Sequence, residues 1–229
     1  MINYSPKIVT SGLIFYMDPI NTKSYSGSGV TWTNLVSGLT SSIFASASYN
    51  SSTKSFDTNA TLITDYTGVN TQTITFADAS EYTLDFWVKL RSGATNLNSL
   101  CGLGATTQWV LLNVTSTSNW FPRYRENSGV YNDFNPITNV NLVNWTNITL
   151  VIKSSRVVDF YLNGTFIESS LTTPSSTLLT INRVASGYSS GGNNYPLQGS
   201  ISSTKFYNRK LTSIEILQNY TSLKSRFGL

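Results

Sequence analysis

Between residues 82 and 90, Leu84, Phe86, Val88 and Leu90 alternate with Thr83, Asp85, Trp87 and Lys89, the period-two pattern of a half-buried strand. Thr146–Ile152 repeats it with Ile148, Leu150 and Ile152 inward, and Val158, Phe160 and Leu162 resume it directly afterwards. Ser154-Ser155 turns the chain between those two strands. Asn163-Gly164 is a type I′ hairpin signal ahead of Thr165–Glu168, so the three segments form a meander. The same criteria predict strands over Leu13–Met17, Thr31–Leu35, Thr61–Ile63, Thr71–Phe76, Trp109–Val114, Leu178–Asn182 and Ser200–Tyr207. Many short strands divided by Gly, Asn, Asp and Ser turns predict an all-β, two-sheet antiparallel sandwich. The Ser-rich stretch 41–55, broken by Ile43, Phe44 and Tyr49, reads as a long loop or an edge strand.

The pattern changes period once. Thr212-Ser213-Ile214-Glu215 has the form of a capping box, and Ile214, Leu217, Tyr220 and Leu223 follow at helical spacing. Lys224 and Arg226 suit the negative end of that helix. A short carboxy-terminal helix closing the domain against one sheet is therefore expected.

Composition narrows the function classes. Of 229 residues 40% are hydrophobic and only 11% charged, against about 25% charged in ordinary soluble proteins, so the chain can bury a large core. The net charge of +4 comes from few acids. Arg123/Arg125, Arg209-Lys210 and Lys224/Arg226 are scattered pairs, without the one-sided basic face of a nucleic-acid binder. Histidine is absent, which removes the commonest general base and zinc ligand and every Ser-His or Cys-His arrangement. Cys101, the single cysteine, sits between Leu100 and Gly102-Leu103 and reads as a buried small hydrophobe. No stretch approaches the ~18 apolar residues of a membrane helix, and the first residues lack the basic and apolar regions of a secretory signal. No cofactor, metal, nucleic acid or membrane is expected as a partner.

Four segments then become familiar. They are Ser55-Phe56-Asp57 with Thr61-Leu62-Ile63; Tyr82–Lys89; Asn144-Trp145 through Val151 leading to Phe160-Tyr161-Leu162-Asn163-Gly164; and Gly199-Ser200-Ile201 through Phe206-Tyr207-Asn208-Arg209 to Glu215-Ile216. In this order they resemble the concanavalin A-like lectin/glucanase superfamily, and within it laminin-G-like jelly-roll domains. The opening 12–35 and the ending 219–229 resemble laminin-G-type virion proteins of tailed bacteriophages. The resemblance implies residues 1–11 as an amino-terminal arm and 12–229 as one jelly-roll domain. It further implies a virion structural or accessory role, as head decoration or tail-fibre module, with other virion proteins or copies of itself as partners and the particle surface as location. Ser202-Ser203 stands where the family often carries an acidic pair, and Thr58 follows Phe56-Asp57 where it carries glycine; both departures weaken acid-dependent roles such as calcium binding.

Three chemistries compete. Glycoside hydrolysis needs two carboxylates flanking the scissile bond; Glu81 and Asp85 are the nearest approach, and Thr83 separates them on the strand, so a non-enzymatic protein is expected and a degenerate hydrolase ranks third. Calcium would need Asp18, Asn21, Asp57 and Asp65 to converge; side-chain turns by Asp18 and Asp57 explain them more simply. Glycan binding, as a lectin module or as weak adhesion to host-surface glycans by a virion protein, needs exposed aromatic rings beside Asn or Arg. Two regions supply these types: Trp120, Arg123, Tyr124 and Tyr131, and the loop carrying Asn193, Asn194 and Tyr195. Core packing competes with a sugar platform at Trp120, and a plain connection competes at the Tyr195 loop. Trp145 reads as packing, and Trp87, on the polar side of its strand, meets either the second sheet or a partner subunit.

Overall fold

The computed structural model describes residues 6–62, 65–103, 108–125, 131–187 and 195–229. In chain order its strands are β1 (Leu13–Met17), β2 (Thr31–Thr33), β3 (Thr40–Phe44), β4 (Ser48–Asn50), β5 (Ser55–Asp57), β6 (Gly68–Phe76), β7 (Tyr82–Leu90), β8 (Asn96–Gly102), β9 (Trp109–Ser116), β10 (Asn119–Arg125), β11 (Tyr131–Asp133), β12 (Thr146–Ile152), β13 (Val158–Leu162), β14 (Thr165–Ser169), β15 (Leu179–Val184) and β16 (Gly199–Tyr207). A helix, α1 (Ser213–Leu223), and a 3-10 turn (Lys224–Phe227) follow. One antiparallel sheet runs β14-β13-β12-β7-β16-β5-β4, with β1 paired to the later half of β16; the other runs β11-β10-β9-β8-β15-β6-β3-β2. This is the expected jelly-roll sandwich with its short terminal helix.

Alternation places the core. Leu84, Phe86, Val88 and Leu90 of β7, Ile148, Leu150 and Ile152 of β12, and Phe160 of β13 face Val110, Leu112 and Val114 of β9 across the two sheets. Trp120 meets Phe160 across that gap at 6.3 Å, and Phe76 stacks on Tyr82 at 4.2 Å. Asn163 and Gly164 both take positive φ, +50° and +79°, as a type I′ turn requires. Cys101 is buried in this core, and burial pushes its thiol up, away from nucleophilic use.

The structure differs from the sequence reading at several elements. Stretch 41–55 contributes β3, β4 and the start of β5, and β8, β10 and β11 are additional strands. Pro122 demotes β10 in any strand criterion, yet it sits within the ladder opposite Leu112. Thr61 and Leu62 form no strand: their amide groups donate to the Asp65 carboxylate in a turn, and Ile63 lies outside the described residues.

The terminal helix begins as expected, with Thr212 Oγ1 accepting from the Glu215 amide and the Glu215 carboxylate accepting from the Thr212 amide. Its buried face is different. Ile216, Asn219 and Leu223 turn inward, while Ile214 is 79% exposed and Leu217 is also exposed. Spacing alone allows either stripe, and the outer surface of the first sheet selects the one that carries Asn219. Residues Val9, Val151, Tyr161, Tyr207, Leu211 and Ile216 form a second apolar cluster under the helix. The described part of the amino-terminal arm lies there too: the Val9 amide donates to Asn219 Oδ1 at 2.8 Å, and Tyr207 donates to the Val9 carbonyl at 3.0 Å.

Beneath this cover, Trp87 stacks on Phe227 at 4.1 Å and on Tyr220 at 5.7 Å. It therefore meets neither the second sheet nor a partner. Phe227 also contacts Trp145 at 4.9 Å. Asp85 and Lys205 form a fully buried ion pair at 2.6 Å, with Thr149 Oγ1 donating to the second carboxylate oxygen at 3.0 Å. Arg226 reaches past the helix end to Asp18 at 2.8 Å rather than acting as a helix cap.

Candidate functional site

Among the described residues no helix covers the outer surface of the second sheet. Because Val110, Leu112 and Val114 face the core, the odd positions of β9, Trp109 and Leu111, face out. Directly opposed residues in antiparallel strands share a face. Trp109 stands opposite Gly102 on one side and Arg125 on the other, and Arg125 stands opposite Tyr131. Leu111 likewise stands opposite Arg123, which stands opposite Asp133. On the far side of Gly102, the register continues to Arg183 of β15.

This face is built from guanidinium groups laid on rings. Trp109 and Leu111 are fully buried yet belong to neither apolar cluster. Tyr195 and Tyr131 cover Trp109 at 5.3 and 5.9 Å, and the Arg125 guanidinium lies 4.7 Å above it. Tyr131, 38% exposed, sits between two arginines, with Arg123 at 4.3 Å and Arg125 at 5.0 Å from its ring. Arg123 is fixed by a two-pronged bond to Asp133 at 2.5 and 2.7 Å. Arg183 repeats the arrangement over Phe44 and Tyr66, at 5.3 and 4.8 Å. Each cation–π contact contributes about 0.5–1 kcal/mol at such half-exposed positions, so together they order the arginine and ring side chains of this face.

The floor next to Trp109 is tight and strained. An added Cβ on Gly187 would lie 2.5 Å from Ser99 Oγ and 3.6 Å from Trp109, so a side chain there would have to displace the Ser99 hydroxyl. Tyr195 has φ +40°, a left-handed conformation that costs energy outside glycine. Its carbonyl accepts from the Ser99 amide at 3.0 Å, which anchors the strained residue to β8. Ser99 and Ser186 are fully buried, and their hydroxyls have no hydrogen-bond partner.

The family comparison bears on this face. The laminin-G-type model of the concanavalin A-like lectin/glucanases superfamily matches residues 63–217. The chain belongs to that superfamily. The match includes β8 to β11 and β15, so the arginine-lined face lies on superfamily strands. No curated protein sequence matches the chain. Among solved structures, the chain is similar to a Trypanosoma rangeli sialidase bound to sialic acid (14% identity, TM-score 0.60, covering 96% of this chain and 34% of that one). It is also similar to the binding domain of Paraclostridial Mosquitocidal Protein 1 (14%, TM-score 0.62, 91% and 52%). A third is a structure of botulinum neurotoxin type C, whose cell entry depends on interaction with two ganglioside molecules (12%, TM-score 0.59, 93% and 51%). The chain thus spans between about a third and a half of the length of these proteins, and at such identities the likeness is one of fold.

The structure separates the residues named from sequence. Trp120 and Tyr124 are fully buried on the inner side of β10: Trp120 donates to the Val140 carbonyl at 2.9 Å, and the Tyr124 hydroxyl meets that of Tyr82 at 3.2 Å. A sugar platform at these two rings is therefore corrected to core packing, because alternation turns positions 120, 122 and 124 inward together. Arg123, Tyr131 and Tyr195 do come together on the outer face. Asn193 and Asn194 lie outside the described residues. Sequence reasoning missed Trp109 and Arg183; Trp109 could have been found from its position out of phase with Val110, Leu112 and Val114.

The calcium candidates do not converge. Asp18 accepts from Tyr16 Oη at 2.7 Å and from the Ile20 amide at 3.1 Å besides its pair with Arg226. Asp57 accepts from Asn50 and Ser55 within the strands, and Asp65 from its own turn. Among the described residues no three metal-ligating side chains form a group. Glu81 pairs with Lys210 and Asp85 with Lys205, so these two carboxylates flank no groove.

Proposed function

We propose that this chain is a non-enzymatic glycan-adhesion domain that binds saccharide on the outer face of its second sheet, displayed on a virion surface. The observation that carries the binding reading is the Tyr131 ring held between Arg123 and Arg125 beside Tyr195, above the buried Trp109. Such rings offer an apolar face to a sugar while the guanidinium edges donate to its hydroxyl groups. Among the described residues, Asp133 is the one carboxylate on the strands of this sheet, and it is tied to Arg123. Glycosidases use two carboxyl groups roughly 5–10 Å apart, which favours binding without hydrolysis. The toxin binding domains that share the fold support a recognition role.

The virion setting rests on the sequence resemblance of the chain's first and last segments to phage laminin-G-type proteins. Ile214 and Leu217 on α1 and Phe166 on the edge strand β14 are exposed apolar residues on the same side, and in this reading they meet a neighbouring particle subunit or a second copy. Immunogold labelling of purified particles tests the setting, and absence of label overturns it. For the binding reading, a glycan array is the test: saturable binding is expected, at least tenfold weaker for Tyr131→Ala with an unchanged melting temperature. Undiminished binding by that variant, or none by the parent chain, removes the proposed face.

A further inference from the structure

The charge on the two sheets is unequal. Strands of the first sheet carry Asp57, Asp85, Asp159 and Glu168 against Lys89 and Lys205; strands of the second carry Arg123, Arg125 and Arg183 against Asp133 alone. The second sheet's cations are all arginine, whose planar fork matches a carboxylate bidentately where lysine offers a point charge. We infer that the saccharide taken by this face is acidic, a carboxylate-bearing sugar, and that Arg183 is the residue that receives its carboxylate. The inference rests on the glycan-binding reading and names the ligand class for it.

Arg183 is chosen over its two neighbours on geometry. Arg123 is already neutralised by Asp133, and its role is to position Tyr131. Arg125 lies between Trp109 and Tyr131, where it presents an edge to a sugar ring. Arg183 donates through Nη2 to the Tyr66 hydroxyl at 2.9 Å, while its Nη1 is buried with no partner. A charged donor shielded from water and left unpaired is costly, and a ligand oxygen restores the missing bond. Tyr66, 54% exposed, is the movable ring that a ligand displaces to reach it.

Further unpartnered groups connect Arg183 to the Tyr131 end. A Cβ built on Gly68 would lie 2.6 Å from the Ser186 side chain and 3.3 Å from the Phe44 ring on which Arg183 rests. The next residue, Gly187, abuts Ser99 and Trp109. Of the six buried side-chain polar atoms without a partner among the described residues, Ser99 Oγ, Ser186 Oγ and Arg183 Nη1 are three, all on this face. Gly102 contributes no side chain between Trp109 and Arg183, whose backbones stand two strand spacings apart, about 10 Å. In the inferred complex a single sugar ring lies with its carboxylate toward Arg183 and its apolar side toward Tyr131 and Tyr195.

Titration calorimetry with the full chain tests this. The probes are the methyl glycosides of N-acetylneuraminic acid and of glucuronic acid, each beside its carboxyl methyl ester. At least one free acid is expected to bind tenfold or more tighter than its ester, with affinity falling as salt is raised, and whichever acid does so separates a sialylated from a uronic-acid source. Arg183→Gln is expected to remove that difference, bringing the affinity of the acid down to that of its ester. Esters that bind as well as the acids overturn the inference and leave glycan adhesion standing. If no probe binds while a neutral glycan on the array does, the inference likewise falls alone. No binding to any glycan removes both. The acid–ester contrast needs no variant, so it decides even if Arg183→Gln fails to fold.

Discussion

The two outer faces of this sandwich start from the same alternating pattern and end differently. On β7 the outward residues Thr83, Asp85 and Trp87 are sealed by α1, the 3-10 turn and residues 6–11: Asp85 bonds to Lys205 and Thr149, the Thr83 hydroxyl donates to the Arg209 carbonyl and accepts from the Leu211 amide, and Trp87 stacks on Phe227 and Tyr220. On β9 and β10 the outward residues Trp109, Phe121, Arg123 and Arg125 have no helix above them among the described residues and pack on one another and on Tyr131. A buried ion pair such as Asp85–Lys205 is fixed because separating it leaves an uncompensated charge. A stacked arginine on a half-exposed tyrosine is ordered yet still able to exchange partners. The first face supports the fold; the second is available for recognition.

The strongest way to break this contrast is to remove one charge from each face. Lys205→Ala should cost about 3–5 kcal/mol, because it strands Asp85 in the interior, whereas Arg123→Ala should cost about 1 kcal/mol or less. Urea denaturation of both variants checks this, and similar losses at the two positions would erase the distinction between the faces. Next in size, Phe227→Ala should lower stability by about 2 kcal/mol through lost ring contact with Trp87 and Trp145. Ligand affinity should stay unchanged, since that contact lies on the sealed face. Tyr195→Ala sharpens the comparison from the other side: a tenfold affinity loss, about 1.4 kcal/mol, with little change in unfolding midpoint.

The smallest effect concerns acid. The Arg209 guanidinium bonded to Glu215, aided by the Thr212 amide and hydroxyl, holds the Glu215 carboxyl down to about 2. A depressed carboxylate stabilises the fold above its unfolded value, about 4.3, and that contribution is lost as pH falls through about 2. Stability should therefore drop by on the order of 1 kcal/mol between pH 5 and pH 2 from this site, a modest figure for a half-exposed pair. Glu215→Gln should show a correspondingly flatter acid limb in pH-dependent urea titrations, and an unaltered limb would contradict the assignment.

The meander β12–β14 and strand β7 were legible residue by residue because their alternation is unbroken and Asn163-Gly164 fixes the turn. The face assignment of β7 was also legible, but what covers that face was not. Alternation says that Trp87 points away from Leu84 and Phe86; it says nothing of a ring 140 residues later in the chain. The candidate site was only half legible for a related reason. Residues 120–125 are rich in the right types, yet the strand turns Trp120 and Tyr124 inward and Arg123 and Arg125 outward. Arg183 was hidden by the bulge after Ile181, which shifts the phase of β15.

The pairing of β1 with β16, and of Val9 with Asn219, joins the beginning of the chain to its end. During synthesis the first sheet must therefore wait, with β7 exposing Trp87 and an unpaired Asp85, until Lys205 and Phe227 have emerged. Contacts so distant in sequence also slow folding, because a long loop must close before any of them forms. Ribosome-bound intermediates lacking the last thirty or so residues should be the aggregation-prone species of this protein, and a chaperone that shields the outer face of that sheet would act at the step where the chain is most exposed.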